Sequence, residues 1–286
     1  MREPLLEVVD LERHFEGLKA VDGVSFTVGQ GEVVSIIGPN GSGKTTTLNL
    51  VTGTIKGHGG TISLAGERID HGDTARIAEH GVARTFQNGR VFATLSVADN
   101  IEVGIHSTLR ASRPFRRLSN VFLLRWVPLL AELYVAIVGT PGSRREQRRI
   151  DETVATEVRR FEARLGPRRE DPAYSLSYAN RRRTEIARAL ALAPRLLVLD
   201  EPTAGMNQSE TAEVLEQLLE LKAEGQTILL VEHKLDLVMT VSDRIIVMDG
   251  GRVIADGTPE AVRNDPAVIE AYLGRRRAAE EGASHE

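Results

Sequence analysis

Residues 38–45 read Gly-Pro-Asn-Gly-Ser-Gly-Lys-Thr and fit the phosphate-loop pattern G-x-x-x-x-G-K-[ST] without a mismatch. No other stretch constrains the fold as tightly, because such a loop must join a buried strand to the start of a helix. The flanks agree. Glu32–Ile37 is a short apolar, β-branched run that predicts a strand, and Thr46–Val51 continues as a helix start. Gly38, Gly41 and Gly43 remove Cβ atoms, so that the loop, with Pro39, Asn40 and Ser42, can wrap a phosphate with its N–H groups turned inward. The helix N-terminus adds partial positive charge at the same place, next to Thr46. Lys44 supplies a full charge for β- and γ-phosphates, and Thr45 an oxygen for Mg²⁺. A plain glycine-rich turn is the other reading; Lys44 and Thr45 in register after a strand count against it. The residues point to a bound nucleoside triphosphate with Mg²⁺.

With 286 residues and 41% hydrophobic content, the chain can build one large α/β domain or two small ones. A formal net charge of −4 gives no basic field that would argue for nucleic acid. The absence of cysteine excludes disulfides and thiolate metal sites. Lysine occurs only at positions 19, 44, 56, 222 and 234, so its place in the loop is chemical. Residues 1–7 lack the apolar core of a signal peptide, and Val121–Val138 is interrupted by Arg125, Pro128 and Glu132. It reads as amphipathic helix rather than a membrane span. These features predict a cytoplasmic protein whose membrane link, if any, runs through a partner.

In chain order, Leu5–Leu11 predicts a strand, Arg13–Gly17 a turn and Val24–Val28 a second strand. Phe15 alone reads as a core aromatic capping a hairpin. The phosphate loop downstream favours a flat surface for a purine ring instead. Thr61–Leu64 and a turn at Ala65-Gly66 add a further hairpin, and Gly81–Gln87 is a strand ending in Gln87. A glutamine at a strand end matters only if the sheet carries it to the γ-phosphate. From about 97 to 192 no strand pattern appears, which predicts a helical subdomain. It contains an arginine patch (Arg110, Arg113, Arg116, Arg117) and the helix Arg181–Leu192. Leu196–Asp200 and Thr227–Val231 are wholly apolar strands of the kind buried in parallel sheets. Glu210–Glu224 predicts an amphipathic helix between them, Ile245–Met248 and Arg252–Ala255 a hairpin, and Pro259–Leu273 a helix. Residues 275–286 read as a charged, disordered tail after a single domain of residues 1–274.

Asp200 and Glu201 emerge at a carboxyl strand edge, where ligands bind in open α/β sheets. In a chain with a phosphate loop, Asp200 is placed to hold Mg²⁺ through its water shell. Glu201 has the reach to orient and deprotonate a water attacking the γ-phosphate. His233, at the end of the neighbouring strand, could contact that phosphate or hold the glutamate.

Together these pieces resemble the ATP-binding cassette (ABC) ATPases over almost the whole chain. Gly38–Thr45 resembles their Walker A loop, Gln87 the Q-loop, Leu176–Asn180 the signature, Leu196–Glu201 Walker B, Ala204–Asn207 the D-loop and His233 the H-loop. The resemblance implies a P-loop NTPase fold: a RecA-like mixed sheet core, an antiparallel β subdomain and an inserted helical subdomain. It makes Phe15 the adenine-stacking aromatic, gives Gln87 a place at Mg²⁺ or the attacking water, and directs Ser177, Ala179 and Asn180 to the ATP of a facing subunit.

A narrower likeness is carried by Arg84–Gln87, Glu185–Arg188, Ala204–Asn207, Val231–His233 and Val268–Gly274. These are similar to the LivG-type ATPases of branched-chain amino acid importers. That likeness implies ATP hydrolysis coupled to uptake of hydrophobic amino acids or of a related solute such as urea, an amide or an organic acid. It also implies a second ABC ATPase subunit, transmembrane permeases, a solute-binding protein, and a peripheral place on the inner face of the membrane. Three positions depart from the pattern: Ala179 stands for glycine, Asn180 for glutamine and Gln208 for proline, and the region around Arg113–Val138 is longer than usual. Two other readings stay open, a regulatory subunit with weak hydrolysis and a non-transport ABC ATPase.

Overall fold

Residues 3–70, 72–85, 91–105 and 141–272 are the described part of a computed structural model of the chain. Gln87, the arginine patch, Val121–Val138 and the tail lie outside it. The chain divides into two compact units, one of residues 1–88 and 194–286, the other of residues 89–193.

The first unit holds two sheets. The antiparallel one runs β2-β1-β4-β5, from β1 (Pro4–Phe15), β2 (Leu18–Gly29), β4 (Gly59–Leu64) and β5 (Glu67–Arg68). The six-stranded sheet runs β10-β9-β3-β8-β7-β6. Its members are β3 (Val33–Ile37), β6 (Val82–Arg84), β7 (Leu196–Asp200), β8 (Thr227–Val231), β9 (Arg244–Asp249) and β10 (Arg252–Gly257). Every pair is parallel except β9–β10. All residues of β3, β7 and β8 are buried, as unbroken aliphatic runs in a sheet covered on both faces require. One core cluster joins both sheets, from Leu6 and Phe26 through Leu48 of helix α1 (Lys44–Val51) to Val198 and Leu229.

Register decides what the sheet presents. Val231 of β8 pairs with Ile36 of β3 on one side and with Asp200 of β7 on the other. The phosphate loop, Glu201 and His233 therefore leave the sheet at one level of one edge. Arg84 ends β6 opposite Val198, and its guanidinium turns up to Asp200, Nη2 to Oδ2 at 2.9 Å. Nη1 of the same arginine donates to Asn49 Oδ1 and Thr52 Oγ1, both at 2.8 Å, so one buried cation ties β6, β7 and the end of α1.

Several boundaries move from the sequence expectation. The first turn is only Glu16-Gly17, both at positive φ, because β1 runs on through Arg13–Phe15 and β2 starts at Leu18. A two-residue connection of that kind follows the strand twist. Strand β6 stops at Arg84, where Thr85 makes the last ladder bond to the Val198 carbonyl. Helix α2 (Thr74–Glu79) precedes it, capped by Asp73. The helix after β7 is α7 (Gln208–Ala223), begun two residues early by a capping box of Asn207 and Glu210. Helix α8 (Leu235–Val241) follows β8. The expected Pro259–Leu273 helix breaks in two. Helix α9 (Pro259–Arg263) ends at Asn264, and a new helical run covers 266–272, since Pro266 has no N–H to continue the first. Asp265 Oδ1 caps the restart by accepting from Ala267 N–H at 2.8 Å.

Among its described residues the second unit is helical, apart from a single bridge between Ser96 and Pro172. Its helices are α3 (Val97–Ile105), α4 (Pro141–Arg160), α5 (Glu162–Leu165) and α6 (Tyr178–Leu190). Ile101, Val154, Phe161, Leu165 and Ile186 are among its buried residues. No helix among the described residues is long and apolar enough to cross a membrane.

Two outcomes follow for urea denaturation. Leu229→Ala, in the fully buried strand between β3 and β7, should cost about 2–5 kcal/mol. Arg84→Ala should cost about 3–5 kcal/mol, because it removes the cation from a carboxylate with almost no access to water. Arg84→Lys keeps the charge without the fork and should fall between that variant and the wild type.

Candidate active site

The chain leaves β3 through Gly38 at φ 148° and enters α1 through Gly43 at φ 102°. A Cβ at Gly38 would lie 2.1 Å from the Met248 carbonyl oxygen, and one at Gly43 2.4 Å from that of Ala20. Backbone fills the space on both sides, so neither position takes a side chain. Lys44 is 5% exposed, and its Nζ donates to the carbonyls of Gly38 and Pro39, each at 2.9 Å. Its charge is thereby laid across the loop. Helix α1 has no side-chain cap and no acid in its first turn, so nothing of negative charge competes with an anion at its N-terminus. Ser42 Oγ is buried with no hydrogen-bond partner among the described residues.

A cleft of about 710 Å³ opens over this loop. Asn40, Gly41, Gly43, Lys44, Thr45 and Thr46 line it, with Phe15 on one side and Glu201 and His233 on another. Phe15 is 42% exposed rather than part of the core. Its ring carries the Arg13 guanidinium 4.6 Å from the centroid, and Arg13 is itself held by the Lys56 carbonyl at 2.9 Å. A cation over one ring face is attracted to the π system and occupies that face.

Glu201 sits at φ 49°, a left-handed conformation rare for a glutamate and costing about 1–3 kcal/mol. Its N–H donates to the Val231 carbonyl at 2.8 Å, and its Oε1 lies 2.6 Å from His233 Nε2. A carboxylate only accepts, so the imidazole donates from Nε2. Asp200 does not line the cleft. It is 1% exposed beneath it, bound to Arg84.

Three residues missed in the sequence belong to this edge. Glu232 is 3% exposed and accepts from Thr203 N–H at 2.9 Å and from the Thr203 hydroxyl. It also accepts from His233 N–H at 2.7 Å. Arg84 is the second; a lone arginine in an apolar strand was the signal that a buried acid faced it. Tyr272 is the third. It packs beside the cluster that holds Ile37 and hydrogen-bonds the Gly38 backbone. Burial pushes its phenol above the usual range, and that hydrogen bond pulls it partly back.

Ser177, Ala179 and Asn180 lie in the other unit, at the start of α6. Ser177 caps the helix by accepting from Asn180 N–H at 3.3 Å. Ala179 is 2% exposed, and Asn180 Oδ1 accepts from the buried Arg183 Nη1 at 2.9 Å. Gln87 lies outside the described residues.

The loop fits a nucleoside triphosphate: a backbone too tight for a Cβ at Gly38 and Gly43, a buried hydroxyl with no partner among the described residues, a helix start without a side-chain cap and one lysine. Of the groups within the described residues that could hold Mg²⁺, the Thr45 hydroxyl belongs to a residue of the cleft lining and the Asp200 carboxylate lies buried, paired with Arg84. Such a sparse set fits an ion that keeps water and phosphate oxygens in its shell. No group of three or more histidines and acids able to hold a metal occurs among the described residues.

The family described as "ABC transporter" matches residues 21–204, and that described as "Branched-chain amino acid ATP-binding cassette transporter" matches residues 252–278. The chain is 41% identical over 275 residues to the high-affinity branched-chain amino acid transport ATP-binding protein BraF of Pseudomonas aeruginosa, covering 96% of this chain and 99% of that one. It is 40% identical over the same shares to the corresponding LivG of Escherichia coli. A probable LivG of Methanocaldococcus jannaschii is 32% identical over 94% of this chain and 97% of its own. Two solved structures are similar, each with TM-score 0.75 and 30% identity. One is a nucleotide-free ATP-binding cassette from an ABC transporter, covering 94% of this chain and 98% of that one. The other is a cassette in its ADP conformation, covering 95% and 99%. The likeness runs from the phosphate loop through both structural units to the C-terminal helix, and the chain belongs to the ABC transporter family of ATP-binding cassettes.

Proposed function

We propose that this chain is the ATP-hydrolysing subunit of an importer for branched-chain or related hydrophobic amino acids. The observation that carries hydrolysis is the 2.6 Å contact of His233 with Glu201 at the rim of the phosphate-loop cleft. The solute class rests on the relatives named above, similar over nearly their whole length.

Phe15 stacks the adenine. The backbone N–H groups of the loop 38–46, in which Pro39 has none and that of Ser42 is donated to the Pro39 carbonyl, and the Lys44 ammonium hold the phosphates. Glu201 takes the proton of the attacking water, and His233 holds the carboxylate toward that water. Thr45, Asp200 and Gln87 would hold Mg²⁺, which would supply positive charge to the transferred phosphate. The signature Ser177, Ala179 and Asn180 faces the ATP of a second ATPase subunit, a further copy of this chain or a paralogue, with the Ser177 hydroxyl as its contacting side chain. Transmembrane permeases on the inner face of the membrane and a solute-binding protein complete the importer.

A regulatory subunit with weak hydrolysis is the reading that Ala179 and Asn180 raise. Two observations favour an active subunit. Ala179 is buried, with the Asn180 carboxamide taken by Arg183. The Ser177 oxygen caps the helix while its O–H stays available to donate to a phosphate.

Glu201→Gln should lower ATP turnover by about 100-fold or more, the usual worth of a general base, while ATP still binds. In light scattering after size exclusion, the same variant should form a dimer with Mg-ATP, alone or with a paralogous ATPase, and remain monomeric without nucleotide. Lys44→Ala should abolish nucleotide binding. Wild-type turnover by Glu201→Gln would overturn the assignment of the base. Reconstituted with its permease, the wild-type subunit should drive ATP-dependent leucine uptake; uptake of urea or an organic acid alone would reassign the solute.

A further inference from the structure

Strand β8 is followed by three consecutive side chains, Glu232, His233 and Lys234, and each of them reaches across to the segment that follows β7. Glu232 accepts from the Thr203 N–H and hydroxyl through Oε1, and from the N–H groups of His233 and Lys234, at 2.7 and 3.3 Å, through Oε2. His233 meets Glu201. The Lys234 ammonium donates to the Met206 carbonyl at 3.2 Å and to Thr211 Oγ1 at 2.5 Å. The loop so gripped begins with the strained left-handed Glu201. A backbone held in such a conformation persists only where its surroundings over-determine it.

Glu232 is the centre of this grip. At 3% exposure its carboxylate has no recourse to water, and the four donors that satisfy it come two from each loop. One oxygen therefore belongs to the loop of the proposed base and the other to the loop of its histidine partner. Neither oxygen touches the cleft over the phosphate loop, whose lining includes Glu201 and His233 but not Glu232.

We propose that Glu232 is a positioning residue for ATP hydrolysis: by clamping Thr203 to the backbone of His233 and Lys234, it keeps Glu201 and His233 in hydrogen-bond register. The proposal rests on the reading of Glu201 as the base. Its signature is a change in turnover without a change in nucleotide affinity, since the phosphate cradle is built from other residues.

The test uses the full-length chain and three measurements: kcat for ATP, Kd for ATP without Mg²⁺, and a thermal melt. Thr203→Val removes one donor from Oε1 at nearly constant volume. It should lower kcat by about tenfold, the size of one lost hydrogen bond to a charged group, with Kd within about twofold of wild type. Thr203→Ser restores the hydroxyl and should recover kcat. Glu232→Gln replaces one acceptor oxygen with an NH₂ that faces donors, and should lower kcat further. The double variant Thr203→Val with Glu232→Gln should be no slower than Glu232→Gln alone, because both cut the same tie; a diffuse structural effect would add. Unchanged kcat in Thr203→Val, parallel loss of kcat and affinity, or failure of Thr203→Ser to rescue would each overturn the clamp. Should Glu232→Gln not fold, the Thr203 pair still decides. Glu201→Gln run alongside separates the two readings. Full turnover there sinks the base assignment, whereas an inactive Glu201→Gln beside a fully active Thr203→Val sinks the clamp alone.

Discussion

The common register of β3, β8 and β7 is the constraint from which the site follows. Each strand is five residues long and buried throughout, and a parallel ladder allows no local adjustment without moving a whole face of side chains. Because Val231 is level with both Ile36 and Asp200, the residues that come next in three distant parts of the sequence arrive together. A slip of one residue in β8 would carry His233 away from Glu201 and turn alternate leucines to the wrong side. The core and the catalytic geometry are thus specified by the same aliphatic side chains. This is why apolar runs of no chemical distinction sit directly before each chemical residue.

Charge is treated differently in the same unit. Asp200 and Glu232 are both almost wholly buried, and each would be costly without partners. Asp200 is matched by a cation, Arg84, whose other nitrogen reaches the end of α1. Glu232 is matched by dipoles, the backbone N–H groups of two loops and one hydroxyl. Ion pairs of this kind add little net stability against an apolar replacement, and their worth lies in the arrangement they fix. Here the arginine fixes strand to helix below the cleft, and the glutamate fixes loop to loop at its rim. Lys44 is the third case. Its ammonium is held by carbonyls of its own loop, so a phosphate finds it already oriented.

Legibility in the sequence tracked how local each signal was. The phosphate loop, Asp200-Glu201 and the two apolar strands could be read because motif and periodicity lie within a few consecutive residues. The extent of β1 could not: Arg13, His14 and Phe15 look like a polar turn until pairing with β2 shows that only Glu16-Gly17 turns the chain. Pro266 breaks the C-terminal helix because a missing N–H overrides an amphipathic pattern that would otherwise run on. Glu232 was visible only as part of a tripeptide, because its partner Thr203 lies 29 residues away and comes near through the register of two strands. Arg84 was hidden for the same reason, at a separation of 116 residues from Asp200.

The signature of the second unit shows a limit of a different kind. Read by analogy, Ala179 and Asn180 are two losses: a methyl group where a glycine clears space, and an amide too short for its task. In the folded unit they have other work. Asn180 stands one turn before Arg183, and its side-chain oxygen takes a guanidinium that is 1% exposed. Arg182, equally buried, is paired with Glu185 at 2.7 Å. A helix that opens with two buried arginines needs acceptors within one turn, and asparagine has the right reach at three residues' distance. Ala179 meanwhile is 2% exposed. The departures are therefore coherent with each other. They trade side-chain reach at the helix start for an internally satisfied helix, and they leave Ser177, whose oxygen caps α6, exposed at its start.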